Sequence, residues 1–410
     1  MGYTKNALEG FSWQTVLKIL TAVVTLLKIS ILARLLSPDV FGLFSLIVIA
    51  LGISEATTET GVNLTIIQSK RSIEYFLDTA WVIAIGRGFL IAIVMILMGW
   101  GMSSYFNQPE LLPLIALTSL VPVIKGFINP AIITWQKELR FFRESSYKLS
   151  LTIIEGAFAV VLGLMMQSVL ALILALIGGA LAEVIISFLI LKTKPRFNYL
   201  ASRAKVIFGN AKWLSLSSLL GYLNSNLDDF VIGKILGNYQ LGLYHNGYAL
   251  SHKTNYEFAQ SIHHGTLPIY TKLLQTPARL VKAYWRTLGG GSLLLLAGSI
   301  PLVLFPELFV QIILGSQWLE IIPLIKWLVL AGILQSLALL GYSLFLAKGR
   351  FLTLNIYQLV NLVLMVCFMS YFGLQTGLAG AVMGLALARL LSLPIIIFGV
   401  FHETRLKSRA

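Results

Sequence analysis

Residues 79–100 read "TAWVIAIGRGFLIAIVMILMGW", a stretch whose single charge is Arg87. A helix rising 1.5 Å per residue crosses roughly 30 Å of hydrocarbon with about 20 apolar residues. Lipid offers the backbone no hydrogen-bonding partner, so a crossing segment is either a helix or a strand of a closed barrel. Barrel strands take about 10 residues of alternating polarity. This run is twice as long and does not alternate, so a helix is expected. Comparable runs recur to the end of the chain, with expected spans at 12–33, 43–66, 79–100, 111–134, 149–166, 170–191, 213–233, 243–266, 288–306, 321–346, 352–373 and 379–400. Charged residues make up 12% of the chain and mean hydropathy is +0.84, against about 25% charged in soluble domains. The expectation is an all-α membrane protein of twelve transmembrane helices.

The formal net charge of +14 would suit nucleic acid if it were clustered on one soluble face. Instead it sorts by loop. Of the 31 Lys and Arg, 22 fall in loops on the side of the N-terminus, two (Arg34 and Lys234) in the opposite loops, and the other seven inside spans. Basic loops face the cytoplasm, so both termini are expected there, and no nucleic-acid partner is expected. The lone Cys367 rules out an internal disulfide, and neither a metal site nor a cofactor is expected. The first span, followed by eleven more, reads as a membrane helix and not as a cleaved leader.

Residues 31–44, "ILARLLSPDVFGLF", return two hundred positions later as "VIGKILGNYQLGLY", 231–244, with ten of the fourteen positions identical or alike. Trp13, Leu20 and Leu27 also match Trp213, Leu220 and Leu227. Each copy opens a short turn between two spans. A basic loop at 192–212 separates six spans from six, so the expected domains are lobes 1–200 and 201–410. An even number of spans per half makes the lobes parallel, an arrangement transporters use with the ligand near mid-membrane. Span 8, "HNGYALSHKTNYEFAQSIHHG", is too polar for hydropathy alone. It is expected to cross because loop parity and its match to span 2 require it, with its polar face against protein or water.

A charge at the bilayer centre costs between about 2.5 and 17 kcal/mol, depending on how it is measured. The expected spans nevertheless hold Lys18, Lys28, Arg87, Lys125, Lys253, Lys326 and Arg389, and Glu55, Glu59, Glu155, Glu183, Asp228, Asp229 and Glu257. Lys18, Lys326 and Glu155 lie close enough to a surface for their side chains to reach it. The others must pair or line a hydrated path. Lys28, Arg87, Lys125, Lys253 and Arg389 are the expected cationic substrate contacts, since fixed cations attract phosphate. Glu55, Glu59, Asp228, Asp229 and Glu257 are the expected ion-coupling residues. Glu55 and Glu59 are read as neighbours one turn apart on one helix face, with Arg87 and Lys125 as available partners and Glu183 as a competitor. Lys253 and Glu257, four apart on span 8, are expected to satisfy one another. His252 and His263 are read as hydrogen-bonded structural residues.

The segments "VIGKILGNYQLGLYHNGYAL", "ILARLLSPDVFGLFSLIVIALG", "QKELRFFRESS" and "ILGSQWLEIIPLIKWLVLAG" resemble the polysaccharide transport branch of the multidrug/oligosaccharidyl-lipid/polysaccharide exporter superfamily, the O-antigen and exopolysaccharide repeat-unit flippases. The resemblance implies two six-helix lobes forming a V around a central cavity. It also implies an undecaprenyl-pyrophosphate-linked oligosaccharide moved from the cytoplasmic to the periplasmic leaflet of the bacterial inner membrane by alternating access. Expected partners are that substrate, membrane lipids, H+ or Na+, and polysaccharide polymerase or chain-length machinery. The family has no strict signature to carry over, and Lys28, Arg87 and Lys125 fit its cationic cavity by type and lobe only.

Two other readings compete. A cation-coupled small-molecule (multidrug) exporter would share the fold, but cationic drugs favour an anionic cavity, and these spans carry equal numbers of each sign. A membrane polymerase or glycosyltransferase would place its chemistry in a large external loop, and no such loop is expected here, so the chain is not read as an enzyme. No G-x-x-x-x-G-K-[ST] loop occurs, so energy for transport must come from gradients, potential or downstream consumption.

Overall fold

The computed structural model describes residues 2–69, 71–138, 140–208 and 211–405. No strand occurs among the described residues. The chain divides into two compact units, Met1–Ser225 and Asn226–Ala410.

Unit 1 contains α1 (Gly2–Leu35), α2 (Pro38–Thr57), α3 (Val62–Gln68), α4 (Glu74–Phe106), α5 (Leu111–Thr118), α6 (Leu120–Gly126), α7 (Ile133–Lys137), α8 (Phe141–Met166), α9 (Val169–Ile190) and α10 (Ala201–Ile207). It ends within α11 (Ala211–Tyr248). Helix α1 packs on α8, α8 on α9, and α4 on α2, α5 and α6. The crossing of α4 and α6 runs through two glycines: a Cβ on Gly88 would lie 2.5 Å from the Pro122 carbonyl oxygen, and one on Gly126 would lie 3.0 Å from that of Ala84. Helices in lipid gain little from apolar contact alone, and small residues that bring backbones together hold such crossings.

Two expected spans are interrupted. The second breaks after Thr57, where Gly61 takes φ 68° before α3 begins. The fourth bends by 66° between α6 and the stretch Pro130–Lys137. Buried Asn129 secures that bend. Its backbone N–H donates to Ser187 Oγ at 3.1 Å, its side chain donates to the Thr193 carbonyl at 2.8 Å, and its side-chain oxygen accepts from Ala131 N at 3.0 Å. Every backbone group freed by the break must find a partner in lipid, and Asn129 supplies several.

Unit 2 holds the rest of α11, α12 (Thr254–Lys272), α13 (Pro277–Leu304), α14 (Pro306–Ile313), α15 (Ile322–Ala347) and α16 (Phe351–Arg405). Two of its long helices are hairpins. Helix α11 is broken at Gly237 (φ 82°) and α16 at Thr376–Gly377. Asp228 touches Tyr244 and Asn361 touches Ser392. In straight helices these pairs would stand about 24 and 46 Å apart, so the chain reverses at each break. The α11 reversal falls two hundred positions after Ser37, where α1 gives way to α2 with Pro38 at its first turn. Between α11 and α12, Ala249–Lys253 forms a π-helical turn.

Seven stretches among the described residues are long and apolar enough to cross a membrane: Pro38–Thr57, Glu74–Phe106, Phe142–Met166, Val169–Ile190, Pro277–Leu304, Ser316–Ala347 and the broken Leu352–Phe401. The bent pair from Leu111 to Lys137 makes an eighth. This is a multi-pass membrane protein. Helices α1, α11 and α12 lie outside the set. In α11, α12 and the π-turn between them, buried Asn246, Ser251, His252 and Asn255 turn the polar residues into the interior of unit 2.

Candidate functional site

In unit 1 the break in α2 changes the relation between Glu55 and Glu59. They do not share a helix face, because the helix ends at Thr57 and Glu59 lies in the turn beyond it. Arg87, on α4, fills that turn. Its Nε donates to the Thr58 carbonyl at 2.9 Å, and its Nη2 donates to the Glu55 carbonyl at 2.9 Å and to Glu59 Oε2 at 3.2 Å. The other Glu59 oxygen accepts from Gly61 N at 2.9 Å, and the Glu59 backbone carbonyl accepts from Ser215 Oγ of α11 at 2.6 Å. A helix end leaves its last carbonyls unsatisfied and carries partial negative charge. A guanidinium answers both. These contacts use three of its five donors; the two at Nη1 have no partner among the described residues, so an anion reaching this half-buried group would find N–H bonds waiting.

Lys28, in α1, pairs with Glu155 of α8 at 3.0 Å. Helix α8 begins at Phe141, eight residues before the expected span, so Glu155 lies well along it. There Gly156 meets the Lys28 stem and Gly163 meets Leu32. Lys125, in the last turn of α6, is exposed and makes no ion pair among the described residues. Thus Lys28 and Arg87 each hold their own carboxylate, while Lys125 makes no ion pair among the described residues, although its charge acts on Glu183.

Unit 2 is arranged differently. Asp228 and Asp229 are both buried. Tyr244, across the α11 reversal, donates its hydroxyl to Asp228 at 2.5 Å, and Asp229 contacts His245 Nδ1 at 2.9 Å. Arg389, in the second arm of α16, is 2% exposed, and His252, in the π-turn, is 1% exposed. They meet at 2.7 Å, with the imidazole stacked 4.1 Å from the Tyr248 ring. The Arg389 charge also acts on Asp228. A π-turn shifts every following side chain around the helix, and this one sits where α15 comes close, since a Cβ on Gly332 would lie 3.1 Å from His252 Cα. Arg389 Nε, Asp229 Oδ1, Gln335 Oε1 and Ser336 Oγ are buried without a hydrogen-bond partner. His263 contacts Ser343 Oγ at 2.6 Å. Glu257 is exposed, and the side chain of Lys253, its expected partner, lies outside the described residues, as does that of Lys18.

The sequence reading missed Tyr244 and Tyr248. The repeat carried a signal for Tyr244, since its counterpart is Phe44 and the hydroxyl is the whole difference between them.

Residues 31–323 match the family described as "Polysaccharide biosynthesis protein". The chain belongs to that family. The lipopolysaccharide biosynthesis protein WzxC of Escherichia coli (strain K12) is 22% identical over 396 residues, covering 96% of this chain and 80% of that protein. The teichuronic acid biosynthesis protein TuaB of Bacillus subtilis (strain 168) is 21% identical over 349 residues, covering 85% and 72%. Among solved structures, an inward-facing multidrug resistance MATE family transporter of the MOP superfamily aligns with a TM-score of 0.70 at 16% identity, covering 95% of this chain and 96% of that one. The lipid II flippase MurJ in its inward closed conformation aligns at 0.70 and 13% identity, covering 94% and 87%. The fold is therefore the one these transporters share.

Proposed function

We propose that the protein is a flippase that carries an undecaprenyl-pyrophosphate-linked oligosaccharide repeat unit from the cytoplasmic to the periplasmic leaflet of a bacterial inner membrane. The proposal includes twelve spans in two six-helix lobes, 1–200 and 201–410, cytoplasmic termini, and alternating access between those lobes. Membership of a polysaccharide biosynthesis family supports it at the level of pathway. The observation that carries the substrate class is the set of unit 1 cations: Lys125 is exposed without an ion pair, and Arg87 keeps two donors open at a break in a membrane helix. A pyrophosphate needs its charge met by such groups while it is out of water. Lys28 joins them when Glu155 gives way.

Ion coupling, by H+ or Na+, falls to carboxylates that change partners. Glu59 shares Arg87 with any arriving anion, and Asp228 and Asp229 sit deep in unit 2 with Arg389 as resident cation. The multidrug transporters share the fold, so fold alone does not choose the cargo; the exposed Lys125, which makes no ion pair among the described residues, disfavours cationic drugs.

The test is a binding assay on the purified protein with an undecaprenyl-pyrophosphate probe and, separately, a cationic dye. The proposal expects the pyrophosphate lipid to bind, Lys125→Ser and Arg87→Gln to weaken it, and the dye to bind poorly. Tight dye binding with no response to the pyrophosphate lipid would reverse the assignment.

A further inference from the structure

We propose that residues 191–208, with the Arg71–Tyr75–Arg203 stack beside them, form a binding surface for the phosphate headgroups of anionic bilayer lipids. After α9 ends at Ile190 the chain runs without regular structure to Leu200 and then forms α10. The run is fastened to unit 1 at successive points. Thr193 O accepts from Asn129, Arg196 N donates to Asp78 Oδ1 at 2.9 Å, and Leu200 N donates to Thr79 Oγ1 at 3.3 Å. The Phe197 ring lies 4.5 Å from that of Trp81. Ala204 and Ile207 insert among Ile66, Phe76 and Ile133. A strap so fixed shows its other side, which carries exposed Lys192, Lys194, Arg196 and Lys205. Between these cations stand Phe197, 73% exposed, and exposed Tyr199, Val206 and Phe208.

Location decides what can cover such a surface. The strap starts at the end of α9 and lies beside the start of α4, both apolar enough to cross a membrane, so it sits where hydrocarbon gives way to headgroups. Aromatic rings and cations together suit that boundary. Beside the strap, Tyr75 has the Arg71 guanidinium 4.2 Å and the Arg203 guanidinium 4.4 Å from its ring centroid. Lys137 Nζ donates to the carbonyls of Arg71 at 2.5 Å and Ile66 at 3.0 Å. The neighbouring acids are few: Asp78 accepts from Arg196 N, Glu138 pairs with Arg140 at 2.7 Å, and Glu74 is exposed at the start of α4. Neither Arg71 nor Arg203 has an ion pair among the described residues. Two guanidiniums gathered on one ring repel each other, and a phosphate between them removes the repulsion. The position at the ends of two spanning helices argues for lipid over RNA or an acidic protein, since rings and cations there face the boundary between hydrocarbon and headgroups. This site is separate from the transport cations and stands without the proposed substrate.

The experiment uses the full chain in nanodiscs of phosphatidylcholine alone or phosphatidylcholine with phosphatidylglycerol, reading the thermal unfolding midpoint and, by native mass spectrometry, the phosphatidylglycerol molecules retained. The anionic lipid is expected to raise the midpoint and remain bound. In the variant K192S/K194S/R196S/K205S the shift falls to about half or less, and R71S/R203S loses retained lipid while keeping its midpoint in phosphatidylcholine. Inorganic phosphate added to phosphatidylcholine nanodiscs is expected to give no shift. Equal shifts in wild type and both variants would overturn the proposal. So would a full shift from inorganic phosphate, from RNA or from an acidic polypeptide in the absence of phosphatidylglycerol.

Discussion

The helices that lead into the two repeated turns carry opposite charges at matching positions, Lys28 in one and Asp228 in the other. Lys28 reaches away from its own turn to Glu155 on α8, and both side chains keep about a quarter to a third of their surface exposed. Asp228 is enclosed, and its partner Tyr244 comes from the other arm of the same hairpin. The contrast extends to the units. In unit 1 the cations are half-buried or exposed and held by single carboxylates or by none; in unit 2 a buried arginine, histidine and carboxylate share one interior. Loosely held charge can exchange partners with a ligand, whereas enclosed charge is held by everything around it. On the proposed reading the units divide the labour, with loosely held cations to meet an anion in unit 1 and an enclosed polar interior in unit 2.

Breaking the enclosed side should cost most. Arg389→Leu leaves Asp228 and His252 without their cation and should destabilise the protein by about 3–5 kcal/mol, the range for a buried charge stripped of its partner, read as a large fall in the unfolding midpoint in detergent. Tyr244→Phe gives the second hairpin the residue of the first. It removes only the hydroxyl that Asp228 accepts, for a cost of about 1.5–3 kcal/mol. On the looser side, Glu155→Gln should cost no more than about 1 kcal/mol, as for a partly exposed pair. An unfolding cost as large as that of Arg389→Leu would erase the distinction between the units. Lys125→Ser should lie within about 0.5 kcal/mol of wild type, as for an exposed substitution, so any transport defect it shows is a defect of substrate contact.

Much of the fold was legible because periodicity and apolar length are local properties. The turn at 34–43 and its copy at 234–243 showed in the repeat; one helix gives way to the next at Ser37–Pro38, and the chain reverses at Gly237. The interruptions were harder to read. Gly61 and Pro130 marked them, but hydropathy averaged across both, which put Glu55 and Glu59 on a shared face that does not exist. Pairing was not legible where partners stand far apart in sequence: Lys28 and Glu155 are 127 positions apart, and Arg389 and His252 are 137. A single chain gives no register between such helices. The π-turn left no mark either, because a one-residue widening of a helix depends on what packs against it, here Gly332.

The most direct test of the account is lipid flipping by the purified protein in liposomes, following the exposure of a lipid-pyrophosphate-linked oligosaccharide on the outer leaflet. The account predicts flipping that requires the protein and falls about tenfold or more in Lys125→Ser and Arg87→Gln, with the unfolding midpoint of Lys125→Ser unchanged. Flipping at wild-type rates in both variants, or no protein-dependent flipping alongside uptake of a cationic dye, would contradict it.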